Sequence, residues 1–112
     1  MPQSSPSDLE IAPREVQERL ARDDKFLFVD VREQWEYETS RIEGAVLIPL
    51  REIPGNLQRL TEAGDLVLFC HHGVRSLDAA TWLRSQGVES AQSMSGGIER
   101  WATEIDSSVA RY

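Results

Sequence analysis

Cys70, the only cysteine of the chain, lies where an apolar run ends and a helical pattern begins. The run is Leu66–Phe69, and Gly73, Arg75 and Ser76 follow the cysteine. At such a junction backbone N–H groups converge and the helix dipole presents its positive end, which together stabilise a thiolate and hold an anion beside it. We therefore expect Cys70 to be a nucleophile that works on an anionic substrate.

The residues after the cysteine are suited to forming an anion-holding ring. Gly73 permits backbone angles that residues with a Cβ avoid, so successive N–H groups can point inward. Arg75 is expected to close the ring with its guanidinium, and Ser76 to donate a hydrogen bond to the sulfur or to the loop backbone. A lone cysteine at a strand end is ordinarily a small core residue. The glycine, arginine and serine reverse that expectation and favour catalysis.

Two histidines directly follow the cysteine and raise the question of a metal site. Adjacent side chains are expected to diverge, and no third or fourth ligand follows nearby, so His71 and His72 with Cys70 predict no metal. The two histidines are instead expected to be solvent-facing loop residues that add positive potential.

The elements around this loop alternate along the chain. Strands are predicted at 9–11, 26–29, 45–48, 66–69 and 90–94, and helices at 12–22, 34–39, within 50–60, at 75–86 and after residue 95. Ser95 is a candidate N-cap of the last helix. Trp35, Trp82 and Trp101 are expected to be packing residues, with Trp82 partly exposed. The alternation predicts an α/β fold: a small open, mostly parallel sheet with helices on both faces.

Asp30 and Arg32 follow the run at 26–29 as the cysteine loop follows the run at 66–69. Ligands of parallel sheets bind at the carboxyl ends of the strands, so both segments are expected to face one pocket. Two roles remain open for Asp30 and Arg32. They contact the substrate, or they form an ion pair that fixes the neighbouring loop.

The composition of the chain limits the number of domains and the kinds of partner that we expect. The 112 residues are 40% hydrophobic and 28% charged, which fits one globular domain at 9–112 behind a Pro- and Ser-rich leader at 1–8 that is expected to be disordered. The net charge of −7 and the scattered basic residues disfavour nucleic-acid binding. No apolar stretch approaches the length of a membrane span, so no membrane contact is expected. We expect a monomer in the cytoplasm.

The segment 70–76, CHHGVRS, resembles the active-site loop of rhodanese-type sulfurtransferases, in which a cysteine accepts a sulfane sulfur and becomes a persulfide. The resemblance covers nearly the whole chain and extends to segments 28–33, 36–37, 42–50 and 95–101. Ser40-Arg41-Ile42 departs from the Gly-His-Ile of many members, at a position that is structural in the family. The resemblance implies a rhodanese-like fold, catalysis by Cys70, and substrate binding by the loop residues His71, His72, Gly73, Val74, Arg75 and Ser76.

The resemblance also implies a reaction of two displacements that needs no cofactor. The Cys70 thiolate takes the outer sulfur of thiosulfate, a small sulfur anion, or of a protein persulfide. An outside acceptor such as cyanide, a small thiol or a carrier protein then removes it, because the chain has no second cysteine.

Two other functions remain open. Tyrosine phosphatases and their rhodanese-folded relatives place five residues between cysteine and arginine, whereas Cys70 and Arg75 enclose four. The smaller ring favours sulfur over phosphate, but a small cysteine-dependent phosphatase or arsenate reductase is an alternative, with Asp30 as a candidate general acid. The other alternative is a non-catalytic module that senses sulfur status and binds a partner.

Overall fold

The computed structural model describes residues 8–112, which form five strands and five α-helices. The strands are β1 (Glu10–Ile11), β2 (Leu27–Asp30), β3 (Val46–Leu47), β4 (Leu66–Phe69) and β5 (Ala91–Met94). The helices are α1 (Pro13–Ala21), α2 (Gln34–Thr39), α3 (Leu57–Glu62), α4 (Val74–Ser85) and α5 (Gly97–Glu104), with 3₁₀ turns at Leu50–Glu52 and Pro54–Asn56. All strands pair in parallel, in the order β1-β5-β4-β2-β3. The predicted class is confirmed.

Strand β4 divides the core into two layers through its alternating side chains. Leu66, Leu68 and Cys70 pack in the layer that contains the buried residues of α3 and α4. Val67 and Phe69 pack in the other layer, with the buried residues of α1 and α5. Because side chains alternate along a strand, the cysteine directly after β4 continues the row that faces α4.

The segments after β2 and β4 leave the sheet side by side, as predicted. Asp30 is in register with Phe69, and the Val31 N–H donates to the Phe69 carbonyl at 2.9 Å. Strand β2 lies one residue later than predicted, so Asp30 is its last residue rather than the first residue of a loop.

Two expectations about local structure were wrong. Ser95 does not cap α5; Gly96 is the N-cap with φ +74°, because the Ser95 N–H still bonds the Ile11 carbonyl at 2.9 Å and so belongs to the edge of the sheet. Trp35 is 60% exposed rather than packed in the core, whereas Trp101 is buried and Trp82 is half-buried.

Two expectations concern the ends of the chain and membranes. Apart from Asp8, the predicted leader lies outside the described residues. Within 8–112 no helix has the length and apolar character needed to cross a membrane.

The N-terminus of α5 supports the turn that follows β4. Ile98 N–H donates to the Cys70 carbonyl at 2.9 Å and Glu99 N–H to the His71 carbonyl at 3.1 Å. This approach requires glycine at position 97, where φ is +61° and a Cβ would collide with both carbonyl oxygens. The last helix therefore holds the backbone of the cysteine.

Replacing Gly97 with alanine should lower the free energy of unfolding by about 2 kcal/mol or more, since it adds both backbone strain and a clash with backbone atoms. Urea denaturation measures the change. Gly55→Ala is the matched control, because a Cβ there meets nothing within 4 Å. Equal destabilisation by the two substitutions would contradict the assigned contact.

Candidate active site

The sulfur of Cys70 lies at the centre of three converging donors. Gly73 N–H donates to Sγ at 3.1 Å, Ser76 N–H at 3.4 Å, and the Ser76 hydroxyl lies 3.5 Å away. Gly73 adopts φ +106° as the N-cap of α4, which turns its N–H towards the sulfur. As the sequence predicted, backbone groups at a strand-to-helix junction surround the thiol.

Cys70 is 1% exposed, which sets a condition on its chemistry. Burying an anionic sulfur is costly unless donors replace its hydration, and the three donors supply that replacement. A reactant molecule can touch a cysteine that is covered to this degree only when loop side chains shift. Val74, 70% exposed at the start of α4, and the exposed His72 form the outer surface of the loop.

A buried serine on the neighbouring strand completes the surroundings of Ser76. The Ser93 hydroxyl lies 2.8 Å from the Ser76 hydroxyl, which is also 3.4 Å from the Gly73 carbonyl. Because one hydroxyl proton serves one acceptor at a time, the Ser76 proton is left for Sγ or the Gly73 carbonyl when the Ser93 hydroxyl donates to Ser76. The sequence analysis did not single out Ser93, and the only available signal was a polar residue within the strand predicted at 90–94.

Contrary to the prediction, Arg75 does not close the ring, because its guanidinium is hydrogen-bonded to Glu36. Nη1 lies 2.7 Å from Oε1 of Glu36, and Nη2 lies 3.0 Å from Oε2. These bonds, with a smaller contribution from the charge of Cys70, hold the pKa of Arg75 well above its ordinary value. Arg75 is therefore near enough to interact with the sulfur electrostatically, but its hydrogen bonds go to a carboxylate.

Glu36 is a buried carboxylate on α2 whose role the sequence reasoning missed. Burial alone raises its pKa, but hydrogen bonds from Arg75, the Glu33 N–H and the Tyr112 hydroxyl outweigh burial and lower the pKa to about 2. The available signal was the capping box that Glu33 and Glu36 form at the start of α2. Glu36 is thus ionised throughout the physiological range.

Tyr112 covers the loop from the far end of the sequence. Its hydroxyl donates to Oε2 of Glu36 at 2.8 Å and accepts from Nη1 of Arg32 at 2.9 Å. Its ring stacks on His71 with centroids 3.9 Å apart, and Trp35 meets it edge-on at 6.0 Å. Burial, with the carboxylate of Glu36, raises the pKa of Tyr112 to about 12, so the hydroxyl remains a donor.

His72 is exposed, as expected, but the stacking of the two histidine rings and the burial of His71 differ from expectation. Their rings stack at 3.9 Å instead of diverging, and His71 is half-buried between His72 and Tyr112 rather than facing solvent. Burial, followed by the neighbouring His72, lowers the pKa of His71, so His71 is mainly neutral near pH 7 and adds little positive potential.

A third metal-ligating side chain lies near the histidines, contrary to the sequence reasoning. Ligand atoms of His71, His72 and Glu99 all lie within 4.8 Å of one another. The Glu99 carboxylate already accepts a hydrogen bond from Nε of Arg111 at 2.9 Å. Because that carboxylate is paired with a cation, we derive no metal chemistry from the cluster.

Asp30 and Arg32 form a buried ion pair, one of the two roles left open. Both residues are 0% exposed, and Arg32 contacts Asp30 through Nε at 2.9 Å and Nη2 at 2.7 Å. Nη2 also donates to the Ser40 carbonyl at 2.6 Å. This bond connects the segment 40–42, which differs from the Gly-His-Ile pattern, to the end of β2. These side chains are placed to fix the loops and present no surface to a substrate.

Glu36→Gln should cost about 1–3 kcal/mol of unfolding free energy near neutral pH, since it removes charge-assisted bonds to Arg75. The folded pKa of Glu36 lies below the ordinary 4.5, so its contribution is complete above that value and is lost as pH falls towards about 2. Urea denaturation of the wild type and Glu36→Gln should show their difference in unfolding free energy decreasing from about pH 6 to about pH 2.5. A difference independent of pH would contradict the assignment.

Asp30→Asn should lower the free energy of unfolding by a larger amount, about 3–5 kcal/mol, because it leaves the Arg32 charge buried without its partner. The matched control is Glu104→Gln, which breaks the exposed pair with Arg100 and should cost less than about 1 kcal/mol. Thermal or urea unfolding compares the two, and a similar small cost for both would rule out a structural role for the buried pair.

Comparison with known proteins places this arrangement in a family. A family model described as a rhodanese-like domain matches residues 12–104. Rhodanese-like/PpiC domain-containing protein 12, chloroplastic, of Arabidopsis thaliana is 33% identical over 93 residues, which cover 80% of this chain and 31% of that protein. The chain thus spans about a third of the length of that relative.

Two other matches are similar to this chain in length. A protein named sulfurtransferase from Allochromatium vinosum is 32% identical over 93 residues, covering 83% of this chain and 87% of that protein. The solved structure of the human single-domain sulfurtransferase TSTD1 superposes with a TM-score of 0.75 at 27% identity, covering 86% of this chain and 96% of that one. With its parallel sheet and its cysteine loop between β4 and α4, the chain belongs to the rhodanese-like domain family.

Proposed function

We propose that this protein is a sulfurtransferase that carries a sulfane sulfur on Cys70. The observation that carries the proposal is the convergence of the Gly73 N–H, the Ser76 N–H and the Ser76 hydroxyl on one sulfur atom. Such donors stabilise a thiolate before the reaction and a persulfide anion after it. Membership of the rhodanese-like family supports the same chemistry.

In the first displacement the thiolate attacks the outer sulfur of the donor. With a persulfide donor, Cys70–S⁻ and R–S–SH give Cys70–S–SH and R–S⁻. The electron pair of the thiolate forms the new S–S bond, and the pair of the broken bond leaves on the donor's inner sulfur. With thiosulfate the leaving group is sulfite.

In the second displacement an acceptor nucleophile attacks the outer sulfur of the Cys70 persulfide. Cyanide gives thiocyanate, a thiol gives a new persulfide, and Cys70 returns to the thiolate. The chain holds no second cysteine that could form an internal disulfide during this step. We propose a small thiol or a thiol of a carrier protein as the acceptor.

The site geometry favours sulfur transfer over phosphate ester hydrolysis. A phosphatase needs a cationic group for the phosphate oxygens and an acid for the leaving group. Here the Arg75 guanidinium is bonded to Glu36, and Asp30 is fully buried in its ion pair with Arg32. Neither side chain is available in this arrangement for those two tasks.

Incubation with excess thiosulfate or cysteine persulfide should add the mass of a single sulfur atom to the intact protein, and cyanide should remove it as thiocyanate. The added sulfur should be absent from Cys70→Ser. Ser76→Ala, which removes one of three donors to the sulfur, should slow discharge by about 10-fold or more. Failure of both donors to load the protein, or loading of Cys70→Ser, would refute the proposal.

A further inference from the structure

Every arginine that the structure places against the cysteine loop or its supports is paired with a carboxylate. Arg75 is bonded to both oxygens of Glu36. Arg32 is paired with Asp30 in the interior, and Arg111 is bonded to Glu99. The site therefore contains cationic side chains but little uncompensated positive charge.

Two carboxylates beside the loop, those of Glu36 and Glu99, are held in place by residues that contact the loop. Glu36 is 4% exposed at its side chain and is fixed by Arg75, by the Tyr112 hydroxyl and by the Glu33 N–H. Glu99 donates its backbone N–H to the His71 carbonyl, and its carboxylate lies beside the two histidine rings. His71, which could have balanced these charges, has its pKa lowered by burial.

The remaining positive potential comes from the donors that surround the sulfur: the Gly73 and Ser76 N–H groups, with the dipole of the twelve-residue helix α4 behind them. These groups match one negative charge, which the Cys70 thiolate itself supplies. A second anion that approaches the thiolate meets its charge, while the guanidinium groups of Arg75 and Arg111 that could offset that charge are already paired with Glu36 and Glu99. The total net charge of −7 adds to this repulsion at low ionic strength.

Sulfur donors differ in the charge that they bring. Thiosulfate is a dianion, so its reaction with the thiolate gathers three negative charges in one transition state. A persulfide R–S–SH in its neutral form brings none at the reacting sulfur, and its leaving thiolate carries away the single charge of the attacking one. The cost of additional negative charge in a partly buried site therefore falls mainly on thiosulfate.

We propose that Glu36 is a specificity-determining residue that makes this site selective for persulfide donors, R–S–SH, over thiosulfate, by neutralising Arg75. The inference rests on the proposed function, since it concerns the donor of the same Cys70 reaction. Glu99 acts in the same direction from α5. Neither carboxylate touches the reacting atoms; each acts through the charge that the donor meets.

The test is the rate of loading of Cys70 by thiosulfate and by cysteine persulfide, measured as kcat/KM with cyanide as the common acceptor. The wild type should favour cysteine persulfide. Glu36→Gln should raise kcat/KM for thiosulfate by about 10-fold and change that for cysteine persulfide by less than about 3-fold. Added salt should reduce the difference in kcat/KM for thiosulfate between the wild type and Glu36→Gln.

Glu99→Gln covers the case in which Glu36→Gln fails to fold, because the Glu99 side chain is partly exposed on α5. It should raise kcat/KM for thiosulfate by about 3-fold. Glu104→Gln is the matched control, since it makes the same charge change at the C-terminal end of α5, roughly 7 Å further along the helix. The ratio of kcat/KM for thiosulfate to that for cysteine persulfide should be the same in Glu104→Gln as in the wild type.

Persulfidated serum albumin separates a protein donor from a small one. Loading by cysteine persulfide alone assigns a small donor, and loading by both assigns the persulfide class as a whole. A wild type that prefers thiosulfate, or carboxylate variants with an unchanged donor ratio, would overturn the inference while leaving sulfur transfer by Cys70 intact. Absence of loading by every donor would instead refute the proposed function.

Discussion

The hydrogen bonds that converge on the Cys70 sulfur are the interaction on which the rest of the site depends. A sulfur that is 1% exposed becomes an anion only if fixed donors replace water, and those donors must belong to a rigid backbone. Two helices supply that rigidity from opposite sides of the loop. Helix α4 begins at the loop and provides the donors, while the first N–H groups of α5 bond the carbonyls of Cys70 and His71.

The two helices meet through glycines. A Cβ on Gly73 would lie 3.1 Å from the Gly96 nitrogen, and a Cβ on Gly97 would collide with the carbonyls of the loop. Each of these glycines has a positive φ that other residues rarely adopt. Close approach and backbone conformation therefore require the same residue type, and the turns after β4 and β5 have to be considered as one structure.

Most of the fold and the centre of the site could be predicted from sequence because their signals are local. The apolar run of β4, the cysteine after it, and Gly73 and Ser76 lie within eleven residues of one another. The Glu36 partner of Arg75 and the Tyr112 partner of Arg32 could not be found in this way. Glu36 is 39 positions from Arg75, and Tyr112 is 80 positions from Arg32.

The errors share this physical origin. Arg75 was expected to close the ring because an arginine near a thiolate is attracted to it, but a buried carboxylate offers two oxygens in bidentate geometry and binds the guanidinium more strongly. The histidines were expected to diverge, but the Tyr112 ring gives His71 a surface on which to stack. The ion pair of Asp30 with Arg32 was one of two roles left open, and it could be considered from sequence because a spacing of two residues at a strand end is itself local.

The pairing of Arg75 with Glu36 also bears on how the loop accommodates two chemical states. In the sulfur transfer that we propose, a persulfide would place its outer sulfur about 2 Å beyond Sγ, so the charge that the loop must hold would move outward. The backbone donors to Sγ are fixed by α4, and the Ser76 hydroxyl is the one donor able to rotate, between Sγ, the Gly73 carbonyl and Ser93. Arg75, 34% exposed at its side chain, lies at the outer side of the loop with a carboxylate that competes for it. A persulfide anion therefore gains a free guanidinium only by displacing Glu36, whose bonds to Tyr112 and to the Glu33 N–H oppose that displacement. A sulfur held without that guanidinium remains more reactive towards an acceptor than one held with it.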